Sequence, residues 1–369
     1  MDNLSQFIAE TNDLPPVSLL ASTAYQEHLK EMSSAVDEIM SSRPDIHELI
    51  GQNPLQVMYD NHRHHGAFMA TVFAIGNYSL LAKTLPWVYR AYHAHNFSYD
   101  YFPIELKTWL DTLETTLKKE DISAIQAVYQ WMISSHEKII RLSQKEILSG
   151  IELDIDWVDK KNEFRSAVLR SDHKACLKMA TSIVHTANDI EHFYLNILQP
   201  VLYEVGILWE KGEISVAQEH LASAIVSRVM VSANLIAEQA SIFSGRAVVA
   251  ASPNEFHEIG AAMISDVLEH DGWDIDYLGA NVPQEDLLQH LRDFQPTFLA
   301  LSATLPFNVE KIQSIISQIR QDQALKEIKV MVGGRVFNDN AELWKTIGAD
   351  GFTANLRGAR KLAQQWRES

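Results

Sequence analysis

The chain has 369 residues, 46% of them hydrophobic, enough for more than one buried core. A formal net charge of -17 argues against nucleic acid or an anionic membrane as a direct partner, since both would repel such a surface, and leaves a protein partner or a second copy of the chain. Cys176 is the only cysteine, which excludes an intrachain disulfide and a multi-cysteine metal site and fits a reducing, cytoplasmic compartment.

In chain order, the acidic start from Met1 to Pro16 has no basic region followed by an apolar core, so it does not read as a secretory signal. Residues 1–150 read as an all-helical region, with apolar residues at helical spacing over Ile46 to Val57, Ala67 to Leu81, Ile104 to Leu117 and Ile122 to Leu142. The longest apolar patch, Ala67 to Ala82, is too short to cross a membrane and reads as a buried helix. This region concentrates Tyr59, His62, His64, His65, Trp87, Tyr89, Tyr92, His93, His95, Tyr99 and Tyr101. Such side chains line a pigment pocket or, more simply, form a core and a solvated helix face. The basic winged-helix character of a DNA reader is missing. Leu148-Ser149-Gly150 and the acidic stretch Glu152 to Asp156 mark a boundary, so the expected domains are 1–150, 151–245 and 246–369.

The second region reads as a four-helix bundle. Gly212 interrupts it, and Ser215 with Gln218 forms a capping-box pattern that starts a new helix carrying Glu219 and His220 in its first turn. Trp209 closes the preceding helix, which gathers an aromatic ring and two polar groups around one junction. Core packing for Trp209 and a solvated first turn for Glu219 and His220 are the ordinary alternatives.

The third region reads as an α/β unit. The unbroken apolar run Ala247 to Ala251 suits a strand buried on both faces, Pro253 and Asn254 stop it, and Ile259 to Leu268 has helical spacing. His257 therefore lies in a strand-to-helix loop, where open parallel sheets bind ligands. Glu255 is placed to accept one ring proton of His257 and so to fix its tautomer, and Gly260 leaves room at the helix start. Further strands are expected at Thr297 to Thr304, ending in Ser302 and Thr304, at Lys329 to Val332, ending in Gly333-Gly334, and at Gly351-Phe352-Thr353-Ala354.

Over about residues 246 to 369 these motifs resemble the Rossmann-like, flavodoxin-like cobalamin-binding domain of methionine synthase, corrinoid methyl carriers and cobalamin photoreceptors. The resemblance implies His257 as the lower axial cobalt ligand, in place of the cofactor's own base. It also implies a slot for the displaced tail lined by Ser302, Thr304, Gly333 and Gly334. Two positions depart from the pattern: Glu255 stands where most of the family has Asp, and Thr304 where many have Leu. Trp209, nine residues and then Glu219-His220 resembles the helical cap of light-sensing regulators of the carotenoid-repressor type. There the Trp packs on the upper adenosyl group and the Glu-His pair lines its pocket. Those regulators have His directly after the Trp, whereas this chain has Glu210, so the resemblance does not carry a bis-histidine photoproduct.

Asn61-His62-Arg63-His64-His65-Gly66 and Tyr89-Arg90-Ala91-Tyr92-His93-Ala94-His95 are similar to photocobilins, which sense a bilin and cobalamin together. A bilin such as biliverdin would here be noncovalent, because residues 1–150 contain no Cys, with Arg63 and Arg90 suited to its propionates. The resemblance thus implies a non-enzymatic photosensor carrying adenosylcobalamin. The alternatives are a corrinoid methyl carrier serving partner methyltransferases and a light-independent cobalamin-level sensor.

Overall fold

The computed structural model describes residues 3–145, 153–236 and 243–367, so the expected boundary at Leu148-Ser149-Gly150 lies outside the described residues. The chain divides into two compact units: Met1–Ile147 with Glu210–Gly212, and Leu148–Trp209 with Glu213–Ser369.

The first unit is helical throughout its described residues: α1 (Leu4–Glu10), α2 (Leu19–Ser41), α3 (Ile46–Leu49), α4 (Leu55–Ile75), α5 (Tyr78–Ala94), α6 (Tyr101–Thr116), α7 (Lys119–Ser134) and α8 (His136–Ser143). Three sequence expectations are corrected. Ile122 to Leu142 divides at Ser135 into α7 and α8. Ile46 to Val57 is not one helix, because the chain leaves α3 in a turn and Pro54 precedes α4. Ala67 to Ala82 is likewise two helices: Gly76, at φ 68°, ends α4 in the left-handed conformation, and the Asn77 side chain caps α5. The sequence reading also passed over α2, the longest helix among the described residues.

Most of the polar aromatic residues of this unit are core or bonded to it. The Tyr25 and Tyr129 hydroxyls lie 2.9 Å apart, with His65 Nε2 3.1 Å from Tyr129. His62, fully buried, sits between Asp37 at 2.5 Å and the Tyr101 hydroxyl at 3.0 Å, which itself donates to Asn61 at 2.9 Å. Tyr89 stacks on Phe102 and His93 on Tyr99, with ring centroids 3.9 and 3.8 Å apart. His64, by contrast, is exposed on α4. Of the two arginines expected to meet propionates, Arg63 is paired with Asp60, and Arg90 with Glu210 at 2.7 Å and the Ser143 carbonyl at 2.7 Å.

The second unit joins a helical bundle to an α/β layer. The bundle comprises α9 (Ile155–Leu169), α10 (His173–Ile183), α11 (Ala187–Phe193), which runs through a π-helical turn at Tyr194–Leu198 into α12 (Gln199–Glu210), and α13 (Val216–Asn234). Its core of Phe164, Cys176, Phe193, Ile197 and Val226 is continuous with Met263, Val267 and Leu356 of the α/β layer, so one apolar cluster holds both together.

In the α/β layer β1 (Gly245–Ala251), α14 (Ile259–His270), β2 (Trp273–Gly279), α15 (Gln284–Phe294), β3 (Phe298–Ser302), α16 (Val309–Gln321), β4 (Lys329–Gly333), α17 (Arg335–Asp339), α18 (Leu343–Thr346), β5 (Gly351–Phe352) and α19 (Leu356–Arg367) follow in turn. Among the described residues the strands form one parallel sheet in the order β2-β1-β3-β4-β5. That is the doubly wound, flavodoxin-like order, and its topological switch lies between β1 and β3. Strand β2 was not expected from sequence, because Trp273-Asp274-Ile275-Asp276 alternates with polar residues as an edge strand does. Strand β1 ends at Ala251 as expected, β3 and β5 stop two residues short of the expected ends, and β4 runs one residue further.

Candidate functional site at the carboxyl edge of the sheet

Buried strands β1 and β3 deliver two loops to the switch point, and β4 ends beside them. Ala251, Ser302 and Gly333 lie in register on one row at this edge. The loop after β1 is held in several places. Ser252 N–H donates to the Ser302 carbonyl at 2.9 Å, Asn254, at φ 63°, donates its N–H to the Asn281 side chain at 2.9 Å, and Asn281 N–H donates to the Glu255 carbonyl at 3.2 Å.

Glu255 has no exposed surface and its carboxylate is saturated with donors. One oxygen accepts the backbone N–H groups of Thr304 at 2.8 Å and Leu305 at 3.1 Å and the Asn308 amide at 3.0 Å. The other accepts the His257 N–H at 3.1 Å and stands 2.5 Å from its Nδ1. Burial opposes ionisation of Glu255, yet the hydrogen bond and charge of His257 and the two backbone donors outweigh it, holding the pKa down at about 2. An ionised acceptor on Nδ1 keeps a proton there, which leaves Nε2 of the neutral imidazole as the lone-pair nitrogen. The His257 side chain is 56% exposed, so that nitrogen belongs to an open ring rather than a packed one. The pKa of His257 is raised, first by its bond to Glu255 and against desolvation, with the charges of Glu255 and Glu219 adding and that of Arg335 opposing.

Glu219 thus acts on His257 from the bundle. It and His220 occupy the first turn of α13, which Ser215 and Gln218 start with a reciprocal capping box. Glu219 lies 2.7 Å from His220 Nδ1 and accepts the Ser223 hydroxyl at 2.9 Å, while His220 is exposed. Trp209 is half-buried in the last turn of α12, and Glu210 after it is buried.

The other expected positions divide by role. Gly260 has nothing within 4 Å of where a Cβ would stand, so the start of α14 is open. Ser302 and Gly333 are buried at the strand ends, and Thr304 contributes its backbone N–H to Glu255. Gly334 is required by the chain itself: its φ is 97°, and a Cβ would lie 2.2 Å from the Ala303 carbonyl oxygen. The sequence reading missed Asn281 and Asn308, two residues that pin the loop. An Asn in a loop carries no spacing signal, and both act across more than 25 residues of chain.

This donor set fits a corrinoid. His257, an open imidazole oriented by Glu255, would offer its Nε2 to a cobalt centre, and the ends of β3 and β4 at Ser302 and Gly333 lie on the same sheet edge.

Residues 245–360 match the sequence family described as B12 binding domain, and residues 161–232 match a second family with the same description. The chain is similar to the HTH-type transcriptional repressor CarH of Myxococcus xanthus, 35% identical over 138 residues, 37% of this chain and 45% of that protein. It therefore spans less than half of that relative. It is also similar to dimethylamine corrinoid protein 2 of Methanosarcina mazei, 24% identical over 52% of this chain and 87% of that protein. Among solved structures, the monomethylamine corrinoid protein of Methanosarcina barkeri superposes at a TM-score of 0.49 with 20% identity, over 55% of this chain and 95% of its own. Among the described residues no helix is long and apolar enough to cross a membrane. With one B12-binding match on the bundle and another on the parallel sheet below it, the second unit is that of a cobalamin-binding protein.

Proposed function

We propose that this chain is a cytoplasmic light sensor that binds adenosylcobalamin with its own base displaced and His257 as the lower cobalt ligand. The observation that carries the cobalamin part is the Glu255 to His257 pair at the switch point, which presents Nε2 outward. Ser302, Thr304, Gly333 and Gly334 line the tail slot, and Trp209, Glu219 and His220 face the upper group. Support for the upper face comes from Glu219, whose charge is felt at His257 from the first turn of α13. The cofactor supplies a light-sensitive carbon-cobalt bond. The protein supplies the orientation below it and a cap whose packing changes when the upper group leaves, shifting a homo-oligomer or a signalling interface.

A second pigment, a noncovalently held bilin such as biliverdin, is proposed for the helical N-terminal unit on its His and aromatic content and on the photocobilin resemblance. Arg63 and Arg90 are already paired there, so a bilin that used them would displace Asp60 and Glu210.

The second reading is a corrinoid methyl carrier. It is favoured by the dimethylamine corrinoid proteins, of which this chain covers up to 97% of the length. One experiment separates the readings. Protein loaded in the dark with adenosylcobalamin, with and without biliverdin, is examined for absorption and oligomeric state before and after illumination. Changes in both support the sensor. An unaltered spectrum and size overturn it, and methyl transfer from the methylcobalamin-loaded protein then supports the carrier.

A further inference from the structure

At the opposite, amino edge of the sheet the chain reverses its overall charge. A groove of about 450 Å³ is lined by Ser244 and Trp273 at the starts of β1 and β2, by Glu191 and Asp271, and by Arg357, Arg360, Lys361 and Arg367. The four cations share one stripe of α19, while Leu356, Ala359 and Ala363 bury its other side. In a chain of net charge -17 this stripe leaves the groove with two positive charges in excess of its carboxylates.

The carboxylates are already consumed. Arg360 grips Asp271 through two bonds of 2.7 and 2.5 Å and reaches Glu191 at 2.5 Å, while Arg357 Nε donates to the other oxygen of Glu191 at 3.0 Å. Glu191 is buried, and its two arginines hold its pKa below the ordinary value against that burial. This network fixes Arg360 and the stem of Arg357. The Arg357 side chain nonetheless remains 62% exposed, and among the described residues its bond to Glu191 is made through Nε rather than the terminal nitrogens. Lys361 is exposed and has no ion pair among the described residues, and Arg367 reaches only the Ser244 hydroxyl, at 3.3 Å. Lys361 and Arg367 therefore line one concavity with no ion pair among the described residues, and beside them Arg357 shares Glu191 with Arg360 and keeps its terminal nitrogens toward solvent.

We propose that this groove is a binding site for a compact, multiply charged oxyanion, held by the terminal nitrogens of Arg357, Lys361 and Arg367. Phosphate and carboxylate ligands share the required chemistry: several oxygens on a small frame, matched to a guanidinium fork and an ammonium group. The site is independent of what occupies the carboxyl edge, since it shares no residue with the His257 loop.

Titration calorimetry of the full chain at low ionic strength, with pyrophosphate in one arm and citrate in the other, tests this against chloride at equal ionic strength. Binding in either arm is expected, weakening as salt is added, and the stronger arm identifies the ligand chemistry. Lys361→Gln and Arg367→Gln touch neither Glu191 nor Asp271, so the fold should survive both. Each is expected to weaken binding by about tenfold, the size of one charge-assisted hydrogen bond. No binding of either anion at millimolar concentration overturns the proposal, as does an affinity that the double variant leaves unchanged.

Discussion

Glu255→Gln is the most informative single change. The carboxylate accepts five donors, and an amide of the same shape keeps only one accepting oxygen. If that oxygen stays with Thr304, Leu305 and Asn308, the amide NH2 faces the His257 backbone N–H, donor against donor, leaving a part-buried N–H unpaired at a cost of about 1 kcal/mol. The same NH2 also turns Nδ1 of His257 into an acceptor. The ring proton must then sit on Nε2, the nitrogen meant for cobalt. Loss of such an orienting partner weakens metal binding by about 10–100-fold, or about 1.4–2.7 kcal/mol.

The assay is a dark titration of the protein with adenosylcobalamin, with the bound spectrum read for the cobalt's lower ligand and the nitrogen hyperfine splitting of the reduced cobalt read for imidazole. Glu255→Asp keeps the charge and should recover part of the affinity, and His257→Ala should abolish the imidazole signal. If Glu255→Gln binds as tightly as the parent with the same hyperfine pattern, the tautomer argument is wrong.

Gly334→Ala should cost about 2 kcal/mol or more in urea unfolding followed by circular dichroism, because the new methyl meets the Ala303 carbonyl in a backbone conformation that disfavours side chains; a midpoint within error of the parent would refute this. Burial of Glu105 raises its pKa from 4.5 to about 7, partly opposed by His62 and Trp109. The folded state thus resists losing that proton, and stability falls as pH rises from 4.5 to 7, by about 3 kcal/mol in total. Glu105→Gln should flatten this limb in thermal melts across that range. Burial lowers the pKa of His65 from 6.5 to about 3, so the stability of its neutral form is lost as pH falls through that window, and His65→Gln should soften the acid limb. Tyr194→Phe removes the 2.5 Å bond to Asp266 between the bundle and α14 and should lower unfolding stability by about 1–3 kcal/mol, a loss that Asp266→Asn in the same background should not deepen.

The parts of this protein legible in the sequence are those that local chemistry dictates. The apolar run of β1 and the Ser215 to Gln218 capping box announce themselves within a few residues, and so does the Glu255 to His257 spacing, since a carboxylate two positions before an imidazole needs no distant partner to meet it. Where residues far apart must be brought together, the sequence is silent. Glu255 gains its saturation from Thr304, Leu305 and Asn308, about 50 positions away, and nothing near Glu255 foretells them. Edge strand β2 was hidden by its polar alternation, and the break at Gly76 by the apolar residues on both sides of it. The histidines and tyrosines of α4 and α5 were visible as a composition, but their pairing into buried hydrogen bonds depends on how those helices meet α2, α6 and α7.

The π-helical turn at Tyr194–Leu198 sets the rotational phase of everything beyond it. Such a turn accommodates one surplus residue by widening the hydrogen-bond ladder, so neither flanking helix has to unwind. Removing one residue from this segment would restore a regular ladder and leave the remainder of α12, with the half-buried indole near its end, in nearly its present phase. In an uninterrupted helix the same single-codon change would turn everything beyond it by about 100°. The widened turn is thus a place where the chain can gain or lose a residue without re-aiming that ring.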